Sequence, residues 1–266
     1  MILALAFLPV ILFSGCEMLE SHPYDVNISG EKHLTDKNRA LIEEATRGRK
    51  EFSFAMISDT QRGYDETADA VEAINSRPEI EFVLHGGDMT EYGSVRELEW
   101  TRDILARLRV PYVSVIGNHD CLGTGLEAYE ALYGSLNYSF VAGDVKFLCL
   151  NTNALEFDYS VAVPDFRFIK NELAAITPEV KRTVALMHAG PMSDQFGGNT
   201  AEEFHALLCS FPDLQFCLYG HGHHVEASDL FHDGIMYYEC ANIRKRSFLV
   251  FTIREEGGYD YEVVEF

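Results

Sequence analysis

The chain has 266 residues, 47% of them hydrophobic, enough to bury the core of one large α/β domain. Its 21 Lys and Arg against 42 Asp and Glu give a formal net charge of −21 at pH 7. So acidic a surface repels nucleic-acid polymers and anionic membranes at long range, which argues against a duplex-binding module. It does not exclude small phosphate esters, because local cations can reverse the field inside a cleft.

Residues 2–13 are an uninterrupted apolar run followed by Ser14-Gly15-Cys16. The run is too short for an ordinary spanning helix and fits the hydrophobic region of an export signal. Phe13-Ser14-Gly15-Cys16 resembles the bacterial lipobox, whose cysteine becomes the lipidated first residue of the mature chain. Two departures are Phe13 where Leu is usual and the lack of Lys or Arg ahead of the run. The expectation is an exported lipoprotein of the cell envelope, touching membrane only through a lipid on Cys16. The chain then divides into residues 1–16 as leader, 17–50 as linker with a short helix, and 51–266 as the main domain. Beyond Cys16 remain Cys121, Cys149, Cys209, Cys217 and Cys240, an odd number without a CxxC pair. Neither a full disulfide framework nor a zinc–thiolate site is indicated, and Cys149 and Cys217 read as core residues.

In chain order, residues 36–47 read as a helix with Thr35 as its cap, and 52–57 as a strand. Ser58-Asp59-Thr60-Gln61-Arg62-Gly63 follows as a loop, then a helix over 65–76 that Arg77-Pro78 stops. A strand over 82–84 ends in Gly86-Gly87-Asp88. An amphipathic helix over 94–109 carries Val95, Leu98, Ile104, Leu105 and Leu108 on one side, with Trp100 read as core. The next strand, 112–116, runs into Gly117-Asn118-His119-Asp120. Strand–helix–strand–helix–strand with polar residues at each strand end indicates parallel βαβ units, whose ligands gather at the carboxyl ends of strands.

Residues 138–141 and 145–150 flank Ala142-Gly143-Asp144 as a hairpin. Helices are expected over 166–176 and 201–209. Strands over 183–187 and 215–219 lead into His188-Ala189-Gly190-Pro191 and Gly220-His221-Gly222-His223-His224. Short strands over 235–238, 248–253 and 259–264 complete the chain.

The strand-end residues, in order, are Asp59, Gln61, Asp88, Asn118, His119, His188, His221 and His223. Five loops thus present only oxygen and imidazole donors, which suit Mn, Fe, Zn or Mg better than copper or an iron–sulfur cluster. Seven ligands exceed the needs of one tetrahedral ion; two ions sharing a carboxylate would use them all. Such a pair can clamp a phosphoryl group and activate water for in-line attack.

Taken together, Asp59-Thr60-Gln61, Gly87-Asp88, Gly117-Asn118-His119-Asp120, His188 and Gly220-His221-Gly222-His223 resemble the five ordered blocks of the calcineurin-like metallophosphoesterases. The resemblance implies a four-layer α/β/β/α sandwich with two central mixed β-sheets. It also implies hydrolysis of phosphate mono- or diesters, including cyclic nucleotides, without a covalent phospho-enzyme. Carried over, Asp59, Gln61, Asp88 and His223 would hold a first divalent metal ion. Asp88, Asn118, His188 and His221 would hold a second, with Asp88 bridging. His119 would contact the phosphate or protonate the leaving alkoxide, with Asp120 orienting its ring. The first block of the family usually reads Asp-x-His, so Gln61 puts a weaker, harder amide donor at that site. The proline after His188 also comes later than is usual. Arg62 and the basic run Arg244-Lys245-Arg246 are read as either substrate contacts or surface cations. Glu91 is read as a helix-flanking surface carboxylate in preference to a support of the site, His224 as structural, and His22, His33, His85, His205 and His232 as packing or surface residues. The rival readings are a non-catalytic protein that binds metal or a phosphate ligand on the same fold, and a nuclease.

Overall fold

The computed structural model describes residues 25–157 and 160–266, so the export leader, the lipobox and Cys16 lie outside the described residues. Alternation along the strands sets the layers. In β1 (Phe52–Ile57) all six residues are buried. Phe52, Phe54 and Met56 enter one apolar cluster and Ala55 and Ile57 another. A period-two strand places those sets on opposite faces, so β1 is covered on both sides. β2 (Ile80–His85) and β3 (Tyr112–Ser114) pair parallel to it in turn. β10 (Ser247–Ile253) pairs antiparallel on its other side, and β11 (Tyr259–Glu265) completes the order β11-β10-β1-β2-β3.

The second sheet is built from β4 (Tyr138–Ala142), β5 (Val145–Leu150), β6 (Arg182–Met187), β7 (Leu214–Tyr219), β8 (Glu226–Ser228) and β9 (Met236–Glu239). Its order is β4-β5-β6-β7-β9-β8, with β5, β6, β7 and β9 parallel and the two edge strands antiparallel. The two sheets face each other across an aromatic core. Phe140 and Phe147 stack at 4.9 Å, and Phe54 meets Phe147 edge-on at 5.4 Å. Helices α2 (Tyr64–Asn75), α3 (Val95–Leu105) and α4 (Gly125–Leu132) supply the cluster on the outer face of the first sheet. Helices α5 (Phe166–Ala174) and α6 (Ala201–Leu208) do so for the second. The result is the expected α/β/β/α sandwich. Helix α1 (Leu34–Ala45) closes the edge where β3 and β4 come together: Asn38 Nδ2 donates to the Tyr112 carbonyl at 2.7 Å, and Arg39 to that of Ser139 at 3.4 Å.

Three local expectations need correction. Trp100 is 44% exposed rather than core. The inward stripe of α3 runs through Leu98, Thr101, Arg102 and Leu105, which puts position 100 on the far side. There its ring packs edge-on against Tyr64 at 5.5 Å with Arg96 over its face. Thr35 does not cap α1; His33 occupies the cap in a left-handed conformation, and Thr35 sits buried in the first turn. Finally, α4 and β8 form where no helix or strand was expected. Cys149 and Cys217 are buried, as expected, and the described cysteines are free thiols.

One ion pair, between a buried lysine and a half-buried glutamate, joins a helix to the second sheet. Lys146 of β5 is 7% exposed and its Nζ lies 2.7 Å from Glu172 of α5, whose carboxylate also accepts from Ser139 at 2.6 Å. Burial alone would raise the Glu172 pKa, but the Lys146 ammonium and the Ser139 hydroxyl outweigh it and hold the carboxyl below its ordinary value. A depressed carboxyl contributes stability above its unfolded pKa and loses it as pH falls through the folded one. Glu172→Gln should cost about 1–3 kcal/mol at pH 7, because it leaves a buried ammonium short of its counter-charge. In urea titrations the gap between wild type and variant should close as pH falls below the ordinary carboxylate range. A gap independent of pH would contradict the assignment.

Candidate metal centre

The sequence-predicted residues arrive from both sheets. Asp59 and Gln61 follow β1, Asp88 follows β2, and Asn118 and His119 follow β3; His188 follows β6, and His221 and His223 follow β7. All lie at the carboxyl ends of parallel strands, at the same end of the sandwich. Potential ligand atoms of Asp59, Asp88 and His223 lie within 4.8 Å of one another. His188 Nε2 is 3.5 Å from Asp88 Oδ1 and 3.0 Å from Asn118 Oδ1. Asn118 Oδ1 is also 3.0 Å from His221 Nδ1. Gln61 Nε2 donates to Asp88 Oδ2 at 3.3 Å. The expected set therefore converges, with Asp88 touching both halves.

The loops are tied to each other as firmly as to their own strands. His188 Nδ1–H donates to the Gly86 carbonyl at 2.8 Å, which fixes the ring and directs Nε2 to Asp88 and Asn118. The His221 amide donates to Asp59 Oδ2 at 3.2 Å, and the Gly220 amide to the His188 carbonyl at 3.0 Å. Gly117 has to be glycine, because a Cβ there would stand 2.1 Å from Asp88 Oδ1.

The electrostatics favour cations. Burial would push the Asp88 carboxyl up, yet His188 and the His119 amide hold it below its ordinary value. Burial also works against a charged His188, but Asp88 and Asp59 pull its pKa up to about 10. Two carboxylates buried at 0% and 1% exposure thus create a field strong enough to hold a proton on an imidazole between them. The donor atoms make the same point. Asp59 Oδ1 and Gln61 Oε1 are buried without a hydrogen-bond partner among the described residues. His223 Nε2 lies only 3.2 Å from that Asp59 oxygen without the geometry of a hydrogen bond. Buried oxygens are rarely left this way unless a ligand takes their lone pairs. Buried carboxylate, amide and imidazole donors brought together with free lone pairs fit divalent metal ions.

Asp120 departs from its expected role. It does not orient the His119 ring, whose Nδ1 instead lies 2.9 Å from the Glu91 carbonyl. The Asp120 carboxylate is fully buried. Oδ1 accepts from the Met89 amide, the Thr90 amide and the Thr90 hydroxyl, each at 2.9 Å, and Oδ2 accepts from the Gly117 amide at 3.0 Å. It therefore laces the Asp88 loop to the Asn118 loop. Sequence adjacency suggested a partner for the imidazole, but the 3-10 turn His119–Cys121 rotates the two side chains apart. His85 was also underrated. Its Nδ1 accepts from the Gly87 amide at 3.1 Å and its Nε2 bonds the Thr60 hydroxyl at 3.0 Å, joining the first two ligand loops. Burial lowers its pKa to about 4, so it serves as a neutral strut. The only sequence signal was its place at the end of β2, directly before Gly86-Gly87-Asp88. Glu91 pairs with Arg62 at 2.5 Å, and His224 with Glu226 at 3.0 Å.

A two-sheet sandwich with an acidic and imidazole metal cradle at its strand ends defines a class of metal-dependent hydrolase folds. Residues 52–225 match the family model for calcineurin-like phosphoesterase, and the chain belongs to that family. Over 154 residues it is 25% identical to a 3′,5′-cyclic-nucleotide phosphodiesterase of Nostoc sp. (strain PCC 7120), covering 55% of this chain and 57% of that one. The chain thus spans about half the length of that relative. A dimetal phosphatase from Danio rerio superposes with a TM-score of 0.62 at 16% identity, over 79% of this chain and 98% of the other. GAP50, the anchor in the inner membrane complex of Plasmodium, has the same TM-score at 13% identity, over 82% and 85%. Such distant likenesses establish the fold.

Removing the acceptor at Asp120 should damage the scaffold before the chemistry. Asp120→Asn turns an amide NH2 toward donors, and should cost about 2–4 kcal/mol of stability by leaving buried groups unpaired. It should also weaken metal binding roughly 10–100-fold, as losses behind a ligand shell do. Thermal unfolding and elemental analysis after dialysis measure both. Unchanged metal content with lost turnover would instead return Asp120 to a direct catalytic role.

Proposed function

We propose that this protein is a phosphoesterase that hydrolyses phosphate mono- or diesters with two divalent ions, drawn from Mn, Fe, Zn or Mg. The observation that carries the proposal is the convergence of seven donor side chains, Asp88 among them, with Asp59 Oδ1 and Gln61 Oε1 buried without a hydrogen-bond partner among the described residues. Asp59, Gln61, Asp88 and His223 would hold one ion, and Asp88, Asn118, His188 and His221 the other. When bound, the ions polarise the phosphoryl group and activate a water for in-line attack.

The chain's own groups supply the rest. His119 donates its backbone amide to Asp88 Oδ1 at 2.9 Å, so the imidazole is mounted directly on the shared carboxylate. Its Nδ1–H is engaged by the Glu91 carbonyl, which leaves Nε2 without a protein partner among the described residues. His119 lines an open cleft with Gln61 and His223. From there Nε2 contacts a phosphate oxygen or passes a proton to the departing alkoxide. The cyclic-nucleotide activity of the Nostoc relative supports a diester substrate, and the open cleft admits either ester. The apolar run over 2–13 and the lipobox-like Cys16 support export and a lipid anchor.

Release of p-nitrophenol from p-nitrophenyl phosphate and from its bis-ester, with Mn added, tests the proposal and ranks the two ester classes. His119→Asn should lower turnover about 10²–10⁴-fold while stability and metal content stay near wild type. Metal-loaded wild type inert toward both esters would favour a protein that only binds metal or a phosphate ligand.

A further inference from the structure

The cleft beside the candidate metal residues has a volume of about 580 Å³, and Arg244 and Lys245 line it together with His119, His223 and the carboxylates Glu66 and Glu91. A cavity of several hundred Å³ is sized for a whole small molecule rather than for one phosphoryl group. Acids outnumber bases two to one in this chain, and two exposed cations close by are tied to carboxylates. Arg62 pairs with Glu91, and Arg246 with Asp69. Arg244 and Lys245 are exposed, and among the described residues neither side chain has an ion-pair or hydrogen-bond partner.

Their placement is built rather than accidental. The short turn Ile243–Lys245 is docked onto the first ligand loop: the Ile243 amide donates to the Ser58 carbonyl at 3.2 Å and the Asp59 carbonyl at 3.4 Å. Ser58 and Asn242 form a parallel bridge, and Asn242 Oδ1 caps the turn by accepting from the Arg244 amide at 3.0 Å. Ile243 is fully buried, packed so closely on Gly63 that a Cβ there would lie 2.6 Å from its side chain. The same peptide groups that carry Asp59 therefore carry the two cations. The backbone that carries them is thereby held against the first candidate ligand loop.

We propose that Arg244 and Lys245 form a specificity subsite for a second anionic group on the substrate, so that the preferred esters carry a phosphate or carboxylate on the alcohol side of the scissile phosphate. This rests on the phosphoesterase reading for which phosphate is cleaved, but the subsite itself is read by binding. A guanidinium pairs with phosphate through two parallel donors and an ammonium adds a point charge, so the pair suits a tetrahedral or planar anion.

The test compares adenosine 3′,5′-bisphosphate with adenosine 5′-monophosphate on metal-loaded, full-length protein. Calorimetry reads the affinities and phosphate release reads kcat/KM. Wild type should favour the bisphosphate by 10-fold or more, mostly through KM, and the preference should shrink as salt rises. In Arg244→Ala/Lys245→Ala the ratio should fall toward one. The charge-matched Arg107→Ala/Lys170→Ala, away from the cleft, should preserve it. No preference in wild type, or a ratio unmoved in the double variant, overturns the subsite. Discrimination in binding without turnover of either compound would sustain the subsite and sink the hydrolase reading instead.

Discussion

The Asp88 carboxylate has almost no contact with water and no residue of its own loop to neutralise it. Its partners come from three other loops: the His119 amide, the Gln61 amide group and the His188 imidazole. An isolated charge buried in this way would cost far more than a domain's whole stability margin. It is tolerable only where opposite charge is delivered at short range. The sandwich has to assemble both sheets before that condition is met, because His188 belongs to the second sheet and Asp88 to the first. The site and the packing of the two sheets therefore depend on each other.

Backbone geometry shows what that assembly demands. Asp59, Asp88, His221 and His223 all adopt positive φ, at 52°, 58°, 72° and 66°. Left-handed conformations in residues with a Cβ cost on the order of 1 kcal/mol or more each, and persist only where the surroundings over-determine them. Here the surroundings are the neighbouring loops. The Asp59 amide donates to the Gly87 carbonyl at 3.0 Å and the Gln61 amide to the Asp88 carbonyl at 3.1 Å. Asp120 then fixes the backbone just after Asp88 and just before Asn118. With their turns held from outside, the candidate ligand side chains would need little backbone rearrangement to receive a cation. That is the physical content of preorganisation at this site.

What could be read from the chain follows from how local each feature is. The ligand candidates stand within a few residues of the ends of apolar strands, so apolar runs leading into Asp, Gln, Asn or His locate them without knowledge of the fold. The doubly covered strands were visible too, since β1 is apolar or small along its whole length, and β5 and β6 are so apart from Lys146, Arg182 and Thr183 near their starts. Features that depend on distant partners were not visible. Nothing near Asp120 in sequence says that its carboxylate is claimed by Met89, Thr90 and Gly117, about thirty residues away in the first two cases. His85 looks like any polar residue after a strand until Thr60 is placed beside it. Trp100 misled because hydrophobicity was weighed ahead of angular position on α3. The basic run 244–246 is ambiguous in sequence because a charge run has no direction until the turn that carries it is docked.

The charge distribution sets a last constraint on how such a site works. A formal charge of −21 opposes any anion approaching from solution. At physiological ionic strength that field is damped over about 8 Å, so it acts on the approach and fades inside the cleft. Within the cleft the nearest charges decide: Arg244 and Lys245 are exposed there without a partner among the described residues, whereas Arg62 is already paired with Glu91. Long-range steering therefore does not help an anionic substrate find this protein; short-range retention has to do so. Added salt works in both directions, easing the approach while weakening the hold. A site organised in this way gains selectivity at close quarters, because an anion without a second charge meets the same repulsion and finds fewer compensating contacts.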